Sequence, residues 1–99
     1  AFMTYGGHGS ISVTSNIAPK LCSQFMELCL SKDFAEAAKI NDKLMPLHHA
    51  LFVESSPGPV KYEASKLGPC GEEIRLPLTL ISDETKVLVD KALTHASLI

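Results

Sequence analysis

At 99 residues, with 45% apolar and 20% charged side chains and a formal net charge of −2, the chain has ordinary globular composition and the length of one domain at most. That balance excludes the basic field that draws nucleic acid or anionic membrane, so neither is assigned as a partner. No apolar run approaches the roughly 20 residues of a membrane-spanning helix, and three cysteines without CxxC spacing (Cys22, Cys29, Cys70) suggest neither a disulfide framework nor a zinc site but a reduced, cytoplasmic setting.

Ala1-Phe2-Met3-Thr4-Tyr5 reads as the last turn of an apolar helix stopped at Gly6. A chain opening on such a turn suggests an internal cut, although a start at Met3 with residual sequence ahead of it would look the same. Gly6-Gly7-His8-Gly9 then leads into Ser10-Ile11-Ser12-Val13, which is short, rich in β-branched residues and bounded by glycine. These features predict one buried β-strand at about residues 10–13. A lone buried strand needs backbone partners on both edges, because an unpaired buried polar group costs about 1–3 kcal/mol. The strand therefore points to sequence beyond this chain.

Thr14-Ser15-Asn16 offers capping oxygens and Pro19 suits a first helical turn, so a helix is predicted over residues 17–30, with Ile17, Leu21, Phe25, Leu28 and Cys29 on its inner face. Asp33 and Glu36 have the spacing of a capping box, with Asp in place of the usual Ser or Thr. A second helix follows from near Phe34, its apolar stripe at Ala37, Ile40, Leu44, Leu47 and Leu51. Pro46 lies within it and predicts a kink near Leu44-Met45 rather than two helices. After the loop Glu54–Pro59, a short third helix carries Val60, Ala64 and Leu67 and stops at Gly68-Pro69. Arg75–Leu80 alternates apolar side chains but contains Pro77, so it is expected to lie extended on the helices rather than pair in a sheet. Ser82 caps a fourth helix whose inner face is Leu88, Val89, Ala92, Leu93 and Ala96, with Asp83 and Glu84 at its positive end.

Little in this pattern carries chemistry by itself. Gly6-Gly7-His8-Gly9 is not a GxGxxG or GxxxxGK[ST] loop, and it precedes the strand where a nucleotide fold would place it after; a tight turn accounts for it. His48 and His49 are adjacent on a helix, about 100° apart, and so cannot chelate one metal as an i, i+4 pair does. His48 is expected to complete the stripe as a partly buried imidazole and His49 to face water. Asp33, Glu36, Asp83 and Glu84 are explained by capping. Ser12 and the three cysteines lack any nucleophile signature, and no lysine lies at the end of a barrel-type strand. No metal, cofactor or catalytic residue is assigned.

Gly6–Gly9 with Ile11-Ser12-Val13-Thr14-Ser15-Asn16, then Leu44-Met45-Pro46-Leu47-His48, Leu51-Phe52-Val53-Glu54, Pro59-Val60-Lys61 and Arg75-Leu76-Pro77-Leu78-Thr79, in that order and spacing, closely resembles the C-terminal third of the dihydrodipicolinate synthase family. Related pyruvate aldolases of the N-acetylneuraminate lyase type fit the Ile-Ser-Val-Thr and Arg-Leu-Pro-Leu-Thr segments less well. The resemblance implies the C-terminal fragment of a (β/α)8 TIM barrel. Residues 1–30 would hold the end of barrel helix 7, strand 8 and helix 8, and residues 31–99 a C-terminal helical region.

It also implies a pyruvate-dependent lyase of lysine and diaminopimelate biosynthesis. Such an enzyme condenses pyruvate with aspartate semialdehyde through a Schiff base, is commonly a homotetramer, and has its Schiff-base lysine upstream of this segment. Of the family's site residues only Ile11 carries over, as a contact to pyruvate; filling the barrel core is the other role open to it. An alternative from a different class is a free-standing helical interaction or scaffold module.

Overall fold

The computed structural model describes residues 1–99 and contains four α-helices, preceded by one turn of 3-10 helix and with no β-strand. The first residues form a helical turn: the Tyr5 N–H donates to Ala1 O, and Gly6 closes it at a φ of +93°, a left-handed conformation that favours glycine. Thr14–Asn16 make the 3-10 turn, followed by α1 (Pro19–Leu30), α2 (Phe34–Ala50), α3 (Gly58–Leu67) and α4 (Asp83–His95).

The strand expected at residues 10–13 does not form. A strand is defined by its ladder, and this chain supplies no second extended segment to bond with it, so Gly9–Ser12 run without regular structure and Ile11 is fully exposed. The start of the first helix is also corrected. Ser15 and Asn16 bond back to Ser12 O and Val13 O, and Thr14 bonds to His48, instead of capping α1; its N-cap is Ala18, with no side-chain cap, and Pro19 opens the helix at the position that lacks a partner for N–H anyway.

α1 packs on α2, α2 on α4, and α3 on α4. Leu44, Leu47 and Ala50 from α2, Val89, Ala92 and Leu93 from α4, Tyr62 from α3, and Ile17 and Ala18 ahead of α1 meet in a single core. The α2 stripe is as its spacing predicts: Ala37, Leu44, Leu47 and Leu51 are buried and Ile40 is partly buried against them. The Asp33 carboxylate accepts from the Glu36 N–H at 3.2 Å, as the capping spacing requires.

α2 runs unbroken through Pro46. A proline has no N–H to offer the carbonyl four residues back, which here belongs to Asp42. That oxygen is bonded instead by His95 Nε2, at 3.0 Å from the last turn of α4. A partner helix thus supplies what the proline withholds.

The faces of α3 and α4 agree with the expected ones except at single positions. On α3 Val60 and Ala64 pack partly buried against the core as expected, but Gly58, Pro59, Tyr62 and Glu63 are the buried residues and Leu67 is exposed. On α4 Leu88 is exposed and Thr85 is buried beside Val89, Ala92 and Leu93. The loop 71–81 crosses to α4 with a turn at Leu76–Leu78 and sinks only Ile81, which packs 3.0 Å from where a Cβ on Gly58 would stand. α4 then starts on a double cap: Ser82 Oγ accepts from the Thr85 N–H, and Glu54 Oε2 accepts from the Ser82 N–H at 3.0 Å.

Candidate functional site

The segment around Ile11 is organised from its C-terminal side. The Asn16 N–H and Nδ2 both donate to Val13 O, at 3.1 and 3.0 Å, and Ser15 Oγ donates to Ser12 O at 2.6 Å. These local bonds tie down the two carbonyls that follow Ile11, as Ser and Asn side chains do at turns. Thr14, at the centre of this knot, is 1% exposed, and its hydroxyl meets His48 Nδ1 of α2 at 2.6 Å. The 3-10 turn is therefore anchored to the core, whereas the residues ahead of it are not.

On the inner side of this segment lies a cavity of about 490 Å3, bounded by Ser10, Ser12 and Ser15, by Cys22 and Phe25 of α1, and by His48. Its polar walls are hydroxyls and an imidazole. Burial pushes the Cys22 thiol above its ordinary pKa, a hydrogen bond with Ser12 partly opposing, and burial holds His48 below its own. Both groups are accordingly neutral near pH 7, which suits packing and hydrogen bonding rather than nucleophilic attack. Ile11 is outside the lining of this cavity and points to solvent.

Of the other residues weighed in the sequence, His49 is exposed and His8 lies on the exposed turn, while His95 is used by Asp42 O. No three His, Cys, Asp or Glu side chains converge on a point that could hold a metal ion. No helix is long and apolar enough to cross a membrane.

Two features escaped the sequence reading. The Thr14–His48 pair joins residues 34 positions apart; the only hint was that His48 falls on the α2 stripe, where a buried imidazole must find a partner. The second is Glu63. It is completely buried, and neither carboxylate oxygen has a hydrogen-bond partner. Burial, with the nearby Asp90 carboxylate adding repulsion, pushes its pKa up to about 8. Nothing in the spacing of α3 marked that position as internal.

Asp90 itself is engaged from α3, accepting from Tyr62 Oη at 3.3 Å and from Lys66 Nζ at 3.4 Å. The Lys66 and Lys86 ammonium groups lie 5.2 and 5.3 Å from the centre of the Tyr62 ring, within cation–π range. These contacts hold α3 to α4 and are remote from Ile11 in the chain.

Comparison with known proteins agrees with the ordered segments. The chain is 56% identical over 97 residues to the 4-hydroxy-tetrahydrodipicolinate synthase of Roseobacter denitrificans, covering 98% of this chain and 33% of that one. It is 52% identical over 98 residues to the 4-hydroxy-tetrahydrodipicolinate synthase of Bartonella henselae, with 99% and 33% covered. Its backbone superposes with a TM-score of 0.92, at 40% identity, on the crystal structure of the dihydrodipicolinate synthase of Acinetobacter baumannii complexed with pyruvate, covering 98% of this chain and 33% of that one. The chain thus spans about a third of the length of the relatives it matches. Residues 1–96 match the model of the dihydrodipicolinate synthetase family, and with sequence order and backbone in agreement over nearly every residue, the chain belongs to that family.

Proposed function

We propose that these residues serve as the C-terminal third of a pyruvate-dependent lyase that condenses pyruvate with aspartate semialdehyde in diaminopimelate and lysine biosynthesis. The observation that carries this reading is sequence identity of about half, over essentially the whole chain, to enzymes named 4-hydroxy-tetrahydrodipicolinate synthase. Identity at that level preserves fold and local geometry, although function still has to be argued from a site.

In this reading residues 1–30 complete a (β/α)8 barrel, with Ser10–Val13 becoming its eighth strand once neighbouring strands supply a ladder, and residues 31–99 form an appended helical region. The exposure of Ile11, and of Phe2 and Tyr5 ahead of it, supports the proposal: apolar side chains so placed are accounted for by a barrel wall packed against them. In TIM barrels the reacting groups sit at the C-terminal ends of the strands. That places Ile11–Asn16 towards the chemistry and Gly6–Gly9 at the opposite face. Ile11 would touch pyruvate while the Schiff-base lysine is contributed by preceding sequence, and the complete protein would assemble as a homotetramer in the cytoplasm.

Borohydride reduction in the presence of pyruvate tests the reading. The complete polypeptide is expected to trap a covalent adduct and the 99 residues alone none, because an imine needs the amine that this segment does not contribute. Absence of an adduct on the complete polypeptide would overturn the assignment of the reaction. An adduct on the 99 residues alone would overturn the division of labour. Exposed apolar surface also weighs against a free-standing module, which sedimentation of the isolated chain checks: a stable monomer would favour the module.

A further inference from the structure

We propose that Thr14 and His48 form a positioning couple for the pyruvate-contacting segment, holding the main chain at Ile11 in register from behind without touching the substrate. The inference rests on the reading of Ile11 as a pyruvate contact and extends it to residues that the sequence left without a role.

Residues 9–12 have no regular structure within this chain; in the proposed barrel neighbouring strands hold them from the sides, and where the strand ends after Ile11 is set by the bonds that follow it. Ser12 O is held by Ser15 Oγ, and Val13 O by both donors of Asn16. These bonds make residues 12–16 one small rigid unit. The unit is tied to α2 by the 2.6 Å contact from Thr14 Oγ1 to His48 Nδ1, beside the hydrogen bond between Ser12 and the Cys22 thiol of α1.

His48 is a suitable anchor. It sits in the last turn of α2, next to Leu47, which is fully buried. It is half-buried, and burial keeps its imidazole neutral near pH 7. A neutral ring protonated at Nε2 accepts the Thr14 hydroxyl proton at Nδ1. Thr14 is itself buried, so without its hydroxyl the Nδ1 lone pair loses the partner that ties the turn to α2, and the turn is freed to move. Such movement is transmitted to Ile11 through two residues whose carbonyls are already fixed. Small displacements of a binding group are costly: a shift of about 1 Å is enough to lose up to about a hundredfold.

The test compares the polar and apolar replacements of each partner in the complete polypeptide, with steady-state kinetics in pyruvate. Thr14→Val, which removes the hydroxyl and keeps the shape, is expected to raise KM for pyruvate about tenfold with kcat changed less than twofold. Thr14→Ser, which restores the donor, is expected to return KM to within about twofold of the parent. His48→Leu should behave as Thr14→Val, and the double variant should be no worse than either, as for two ends of one bond.

The proposal is overturned if Thr14→Val leaves KM unchanged, if Thr14→Ser is as impaired as Thr14→Val, or if kcat falls while KM stays put. Should Thr14→Val fail to fold, His48→Asn against His48→Leu decides instead. Asn places an acceptor near the position of Nδ1, and equal KM values for the two would overturn the couple. Borohydride trapping on the unsubstituted protein separates the two levels of inference: an adduct there, with no effect of Thr14→Val, sinks the couple and spares the reaction, whereas no adduct sinks both.

Discussion

The helical core and the segment around Ile11 both carry branched apolar side chains, yet one set is covered by this chain and the other is not. Leu47 on α2 is completely buried in the core it shares with Ile17 ahead of α1, Tyr62 of α3 and Val89 and Leu93 of α4, whereas Ile11 exposes its whole side chain. The difference is one of geometry. A helix closes its hydrogen bonds within itself and needs only a neighbour to cover one face, and α2 and α4 cover each other. A strand closes its hydrogen bonds only through other strands. Sequence of β character is thus left extended while the helices beside it are complete.

The largest test of that contrast is the loss of a core side chain. Leu47→Ala should cost about 2–5 kcal/mol of stability, measured by denaturant unfolding. A cost under about 1 kcal/mol would mean that the helices are not packed as a cooperative unit.

Glu63 offers the next largest effect. Its carboxyl is neutral when folded up to a pKa of about 8, whereas the unfolded chain ionises in the usual carboxylate range. Between those limits the folded state holds the extra proton. Stability therefore falls as pH rises, by up to about 1.4 kcal/mol per pH unit, and levels off above the folded value. Glu63→Gln removes the charge and nearly keeps the shape, and should abolish that slope. An unchanged pH profile would show that Glu63 reaches water or a cation partner.

A smaller loss is expected at the α4 cap. Ser82→Ala removes the acceptor for the Thr85 N–H and should cost about 1 kcal/mol. Glu54 belongs to the same cap. Hydrogen bonds from Thr85 and Ser82 hold its carboxyl below the usual range, so its contribution is present above the ordinary carboxylate pKa and fades as pH falls through the lowered folded value. Glu54→Gln should accordingly flatten the acid limb of a thermal-melting series by lowering the midpoint near pH 7, where the carboxylate contributes, and changing it little at acid pH.

The smallest change in stability belongs to Ile11. Ile11→Ala should shift the stability of the 99-residue chain by less than about 0.5 kcal/mol, since it removes an exposed side chain. In the complete polypeptide the same substitution should weaken pyruvate binding. A stability loss in the short chain comparable to that of Leu47→Ala would erase the distinction between the two regions.

The helices were legible because each carries its own punctuation. Asp33 and Ser82 cap α2 and α4 as their positions predict, and Gly68 ends α3 in the left-handed conformation, with a φ of 101°. The spacing of Ala37, Leu44, Leu47 and Leu51 placed the α2 stripe correctly because it was long enough to average over individual residues. α3 is only ten residues long. Over so few positions the spacing found Val60 and Ala64, which pack on the core, but not its full width: Tyr62, bonded to Asp90, and Glu63 are buried as well, and Leu67 is not. Thr14–Asn16 misled for a related reason, since the same short polar side chains that cap a helix also close a turn on themselves.

The amino-acid sequence alone determined the number and order of the helices, the stripe and cap of α2, the cap of α4, and the family to which the chain belongs. These depend on local hydrogen bonding, on 3.6-residue periodicity and on ordered short segments, all of which are written along the chain. Tertiary structure alone decided that Gly9–Ser12 stay unpaired, that His95 completes the carbonyl orphaned by Pro46, that Glu63 is enclosed without a partner, and that Thr14 is tied to His48. Each of these is a pairing, or the lack of one, between groups distant in sequence. Such pairings depend on where the helices bring the groups, a relation that no local pattern encodes.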